Sequence, residues 1–117
     1  MTVAQDCIFC RIVDGEVPSR EAYAGPGVYG FHDLHPAAPL HVLLVPRHHI
    51  ADASEVAPEH GQVMAEMMAA ARQVAGEAGL SRRGYRLVFN VGTDAGAQVP
   101  HMHMHLLAGR ELGWPPG

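Results

Sequence analysis

Three histidines alternate with apolar residues in the run His101-Met102-His103-Met104-His105-Leu106-Leu107. On a strand, successive side chains point to opposite faces. His101, His103 and His105 then share one surface, while Met102, Met104 and Leu106 pack behind it. Thr, Lys or Glu would serve a solvated face better, so three imidazoles on a core strand point to chemistry. Two kinds fit. The imidazoles could bind a catalytic zinc, for which a His-x-His spacing is workable. Alternatively one is a nucleophile while the others orient it and move protons, a task suited to a side chain titrating near neutrality. The preceding loop, Gly92-Thr93-Asp94-Ala95-Gly96-Ala97-Gln98, has glycines that let backbone N–H groups turn toward an anion. A phosphate held there would lie beside the imidazole face, which favours phosphorus chemistry.

A second cluster of reactive types is Cys7-Ile8-Phe9-Cys10. It reads as a redox pair, as half of a zinc site, or as two thiols packed like small hydrophobes. No βαβ pattern surrounds it, and nine histidines in 117 residues offer ligands, so zinc is the favoured reading.

The elements that must position these groups follow from apolar periodicity and turn residues. Residues 7–13 read as a short helix ended by Gly15, with Pro18 beyond. Strands are predicted over 21–24 and 28–33, joined at Gly25-Pro26-Gly27, and over 40–45, a buried run stopped by Pro46. Residues 58–78 form the one long helix: Met64, Met67, Met68, Ala71, Val74, Ala75 and Ala78 make an apolar stripe, and Gly79 ends it. Strands follow over 85–91 and 101–107. Tyr85, Leu87, Phe89 and Val91 share one face of the first. Strands in meander order around one main helix predict an antiparallel α+β domain.

A chain of 117 residues makes a single domain, large enough to fold without disulfides. The net charge of -4 argues against a nucleic-acid or anionic-membrane binder driven by bulk charge. No apolar run reaches the roughly 18 residues of a membrane span. The opening Met1-Thr2-Val3-Ala4-Gln5-Asp6 lacks the basic and apolar regions of a signal peptide. A soluble cytoplasmic protein is the expectation.

The run 101–107 matches the pattern His-φ-His-φ-His-φ-φ, with φ hydrophobic, and so resembles the histidine triad superfamily. Cys7-Ile8-Phe9-Cys10-Arg11-Ile12, Phe31-His32-Asp33, Ala38-Pro39-Leu40-His41, Tyr85-Arg86-Leu87-Val88-Phe89-Asn90, Leu107-Ala108-Gly109-Arg110 and Gly113-Trp114-Pro115-Pro116-Gly117 fall in family order. The resemblance covers nearly the whole chain and points to the Hint branch, the purine nucleoside phosphoramidate hydrolases.

That resemblance implies a five-stranded antiparallel sheet, dimerising edge to edge into ten strands. It implies cleavage of P–N bonds in purine nucleoside 5'-phosphoramidates, and of acyl-adenylates, without a catalytic cofactor. His103 would be the nucleophile that carries the nucleotidyl group. His105 would contact phosphate and assist the leaving group, His41 would support it, and His101 would help order the site. Asn90, Gly96 and the amides around Ala97 and Gln98 would hold phosphate oxygens. Asp33 would bind the ribose, with Phe31, His32 and Leu34 lining the base pocket. Trp114 would reach toward the partner subunit's site.

The resemblance also implies a structural zinc on Cys7, Cys10, His49 and His101, while His35, His48 and His60 remain surface residues. The chain departs from the Hint pattern at Gly96-Ala97-Gln98, at Pro100 and at Ala108, changes that bear on leaving-group preference. Three other functions stay open: a dinucleoside polyphosphate hydrolase, a zinc-dependent hydrolase with the triad as ligands, and a non-catalytic nucleotide-binding or adaptor protein.

Overall fold

The computed structural model describes residues 7–117. The expectation that the opening lacks a signal peptide concerns residues 1–6 and lies outside the described residues. In chain order the elements are α1 (Ile8–Val13), β1 (Glu21–Ala24), β2 (Val28–His32), β3 (Leu40–Pro46), α2 (Gly61–Glu77), β4 (Tyr85–Phe89) and β5 (Met104–Ala108). The five strands form one antiparallel sheet in the order β1-β2-β3-β5-β4. The α+β class is as predicted. The meander is not, because β5 inserts between β3 and β4. The reason is apolar content on both sides: β3 is buried along its whole length, so it needs a partner on each edge.

The two faces of the sheet hold different things. Val28, Val42, Leu44, Met104 and Leu106 are fully buried and pack with Met67, Ala70 and Ala71 of α2. Phe31, Leu43 and Val45 point the other way and pack with Phe9 and Cys10 of α1. The short helix covers only part of that second face, and the uncovered part carries His41 and His105.

Register fixes which residues meet. Val42 pairs with Leu106 and Leu44 with Met104 on the α2 side, while His41 pairs with Leu107 and Leu43 with His105 on the other. His41 and His105 are therefore diagonal cross-strand neighbours, a separation long side chains can bridge. A slip of one residue would send His105 into the α2 core.

The boundaries show where local signals gave way. The helix predicted over 58–78 begins as a separate 3-10 turn, Pro58–His60, before α2. His60 is not a plain surface residue: its Nδ1 accepts the Ala57 amide at 2.8 Å and secures that turn. At the other end α2 closes as predicted. Gly79 sits at φ 73, with Leu80 N–H donating to Ala75 O at 2.9 Å and Gly79 N–H to Gly76 O at 3.0 Å. Strands β2 and β4 stop at His32 and Phe89, short of Asp33 and Val91.

The strand predicted over 101–107 pairs only as Met104–Ala108. Pro100 has no N–H to donate, and Met102 N–H goes to Ile50 O at 2.6 Å, outside the ladder. Alternation nevertheless persists through the extended segment, because Met102 joins the α2 core and His101 faces α1. Among the described residues no helix is long and apolar enough to cross a membrane.

Candidate active site

The site begins with His103, on the extended lead into β5. Its Nδ1 lies 2.8 Å from the carbonyl oxygen of His101. A carbonyl only accepts, so this nitrogen carries the proton and Nε2 keeps its lone pair. Phe9 of α1 stands edge-on to the ring at 5.0 Å between centroids, which limits its rotation. The result is an oriented imidazole with a free nucleophilic nitrogen.

His105 and His41 form a second unit. Ala37 N–H donates to His41 Nδ1 at 3.0 Å, and His41 Nε2 lies 2.9 Å from His105 Nδ1. Since His41 Nδ1 accepts, neutral His41 is protonated at Nε2 and donates to His105 Nδ1. Neutral His105 is then protonated at Nε2. Burial, reinforced by His103 and His41, lowers the His105 pKa to about 4, although Asp33 opposes the shift. Burial also lowers that of His41, again against Asp33. Both rings are therefore neutral near pH 7. Asp33 approaches His41 Nε2 at 3.5 Å and accepts the His35 amide at 2.8 Å.

Two cavities flank these rings. One of about 280 Å³ is lined by Ile8, Phe9, Ile12, Phe31, His32 and Leu34, with Asp33 among its polar groups. Phe31, His32, Asp33 and Leu34 thus come together as predicted, though Leu34 is 88% exposed. Ile8, Phe9 and Ile12 had gone unnoticed because Cys7 and Cys10 drew the reading of α1 toward metal. Their signal was the apolar spacing between and beyond the cysteines. Burial and nearby Arg20 lower the His32 pKa, so His32 is also uncharged near neutrality.

The other cavity, about 290 Å³, is lined by Asn90, Gly92, Thr93, Ala97, Gln98 and His103, among others. Its loop differs from expectation. Gly96 N–H donates to Thr93 O at 3.0 Å and Ala97 N–H to Gly92 O at 3.1 Å, so the loop uses those amides to hold its own shape. Asn90 Nδ2 likewise donates to Ala95 O at 2.8 Å. Gln98 and Thr93 make no side-chain hydrogen bond to the described residues and are polar side chains of this cavity left for a ligand. Trp114 lines neither cavity and is 83% exposed.

His101 turns away from the open face. It is fully buried, and its Nε2–H donates to Pro46 O at 2.9 Å. That leaves Nδ1 facing Cys7 Sγ at 3.3 Å and Cys10 Sγ at 3.4 Å, with His49 Nδ1 3.2 Å from Cys10 Sγ. The four ligand atoms lie within 4.8 Å of one another. Tetrahedral zinc, with bonds of about 2.3 Å to sulfur and about 2.0 Å to nitrogen, sets S and N about 3.5 Å apart. The cluster fits such an ion in donor type and spacing. Among the described residues no group of metal-ligating atoms contains more than one triad histidine, so the triad is not itself a three-imidazole metal site. Burial, with His49 and His103 adding to it, lowers the His101 pKa to about 4 despite the Pro46 carbonyl.

A family model described as HIT domain matches residues 14–112. The chain belongs to the HIT domain family. This HIT protein is similar to the purine nucleoside phosphoramidase of Escherichia coli K12, at 39% identity over 95% of this chain and 93% of the relative. It is also similar to a HIT family hydrolase from Legionella pneumophila, with TM-score 0.93 and 41% identity over 96% of this chain and 100% of that one. A histidine triad protein from Clostridium difficile superposes with TM-score 0.91 at 36% identity, covering 97% of each chain. In this HIT protein, as the pattern implies, His103, His105 and His41 gather on one face beside a cavity bordered by Asp33.

Proposed function

We propose that this HIT protein is a hydrolase cleaving the P–N bond of purine nucleoside 5'-phosphoramidates, and the P–O anhydride bond of acyl-adenylates, through a nucleotidyl group carried on His103. The observation that carries the proposal is the 2.8 Å bond from His103 Nδ1–H to the His101 carbonyl, which leaves Nε2 free to attack phosphorus. The named activity of the Escherichia coli relative supports the substrate class.

In the first half-reaction His103 Nε2 bonds to the α-phosphorus and the P–N bond breaks, its electron pair leaving with nitrogen. That nitrogen takes up one proton and departs as amine. In the second half, water attacks phosphorus, the bond to His103 breaks, and water gives up one proton, so the count closes over the cycle. Dividing hydrolysis this way replaces one difficult step with two easier ones. Neutral His105 presents Nε2–H to the phosphoryl group as charge shifts, acting as a fixed hydrogen-bond donor. Gln98 and Asn90 border the phosphate, Asp33 the ribose, and Phe31, His32 and Leu34 the base. The tail with Trp114, whose approach Arg86 holds through the Leu112 and Gly113 carbonyls at 3.3 and 2.8 Å, completes the leaving-group side of a second copy in a homodimer.

Cys7, Cys10, His49 and His101 would hold a structural zinc that ties α1 to the lead into β5. No catalytic step passes through it.

The test is intact mass spectrometry after mixing with an adenosine 5'-phosphoramidate. The wild-type chain gains the mass of an adenylyl group and His103→Ala does not. Unchanged hydrolysis by His103→Ala would remove the proposal. Adenosine binding without turnover across a phosphoramidate panel would favour a binding protein instead.

A further inference from the structure

The proton on His105 Nε2 depends on a chain that starts at an exposed arginine beyond β5. Arg110 Nε and Nη2 lie 3.1 and 3.0 Å from the carbonyl oxygen of Ala37, so both donate to one acceptor. The amide of the same residue donates to His41 Nδ1 at 3.0 Å. Arg110 therefore holds Ala37 by its carbonyl while Ala37 presents its N–H to the imidazole. The close approach this needs is built in. A Cβ on Gly109 would meet Pro39 Cβ at 2.9 Å and Pro39 Cγ at 3.2 Å, and Gly109 sits at φ 99. The 36–39 loop thus lies against the end of β5 where only glycine fits, and the next residue reaches across to clamp it.

We infer that Arg110 is a positioning residue that fixes the tautomers of His41 and His105 through the Ala37 peptide. The alternative tautomer of His41 carries its proton on Nδ1 and faces the Ala37 N–H donor to donor. That arrangement sets the buried His41 Nδ1–H against the Ala37 N–H and leaves the imidazole donor without an acceptor, so it is disfavoured as long as the loop cannot move. With His41 held as Nε2–H, its neighbour at 2.9 Å accepts on Nδ1 and keeps its own proton on Nε2. Releasing the loop lets the Ala37 amide swing to water. His41 can then carry the proton on Nδ1 and accept from His105, which turns a lone pair instead of a proton toward the substrate. Arg110 touches neither imidazole. Its effect on turnover rests on the reaction proposed above, but its effect on the tautomers does not.

The experiment is long-range proton–nitrogen correlation of the histidine rings at pH 7 in uniformly 15N-labelled protein, with kcat and KM measured in parallel. Wild type is expected to show His41 and His105 as Nε2–H. Arg110→Ala is expected to shift their tautomer ratio by roughly tenfold, the scale of one lost charge-assisted hydrogen bond. It should also lower kcat by a similar factor with KM little changed, and Arg110→Lys should recover part of the loss. Ala37→Pro deletes the amide donor without touching Arg110, and it should produce the same shift even if Arg110→Ala folds poorly. A wild-type His105 protonated on Nδ1, or ratios unmoved in folded Arg110→Ala, would overturn the inference. If the ratios shift while wild type hydrolyses no phosphoramidate, the clamp stands and the proposed reaction falls. If wild type forms the adduct and the ratios stay fixed, the reverse holds.

Discussion

The carbonyl that receives the His103 Nδ1–H belongs to His101, whose own ring faces the thiols of Cys7 and Cys10. One residue therefore serves two clusters, its backbone orienting the His103 ring and its side chain closing the Cys/His cluster. Zinc supplied to metal-free protein is expected to bind one ion per chain and raise the melting temperature. At a free concentration of 100 times the dissociation constant, the linkage amounts to about 2.7 kcal/mol. Cys10→Ser should weaken that shift, which thermal unfolding at several zinc concentrations reads directly.

Stability should fall on acidification in a way His105 helps to set. Its folded pKa, about 4, lies below the unfolded value of 6.5. Between those values the unfolded chain binds more protons than the folded one. The contribution is thus complete above pH 6.5 and is lost as pH falls toward 4, at no more than about 1.4 kcal/mol per pH unit. Urea unfolding at pH 7.0, 5.5 and 4.5 should show the slope, and His105→Gln should flatten it. An identical slope in the variant would assign the loss to other groups.

Removing the fixed donor should act on the chemical step. His105→Ala is expected to lower kcat for an adenosine phosphoramidate by at least about 10², with KM changed far less. Stopped-flow release of amine, compared with steady-state turnover, would show which half-reaction slows.

The cavity wall contributed by α1 can be probed without disturbing the core. Ile8 is 40% exposed and lines the cavity, whereas Phe31 is 5% exposed and holds the α1 side together. Ile8→Ala should raise KM several-fold, the scale of about 1 kcal/mol of lost apolar contact, and leave kcat and melting temperature nearly unchanged. Phe31→Ala should lower stability by about 3–5 kcal/mol. A kcat loss in Ile8→Ala would mean that this wall also orients the phosphate.

Much of this arrangement was legible in residue spacing. Period-two alternation placed Met102, Met104 and Leu106 in one core and their histidine neighbours opposite. The end of α2 was marked by Gly79. The position of β5 between β3 and β4 was not legible, because strand order is decided by which edges must be covered and leaves no local trace. The internal bonds of Gly96 and Ala97 were hidden for a related reason: glycine allows a turned amide but does not say what it donates to. His60 read as a surface residue because its partner is the Ala57 backbone, and the clamp made by Arg110 was not legible because its partner is the Ala37 carbonyl.

The Cys7 thiol and the His101 ring meet across 94 positions of chain. A contact of that span pays nearly the full loop-closure entropy of the protein and cannot exist in any fragment that ends before residue 101. The contact between α1 and the His101 ring can therefore form only after residue 101 has been made. Closing the cluster also fixes the residue whose carbonyl receives the His103 Nδ1–H, which ties the order of the His103 ring to this long-range contact.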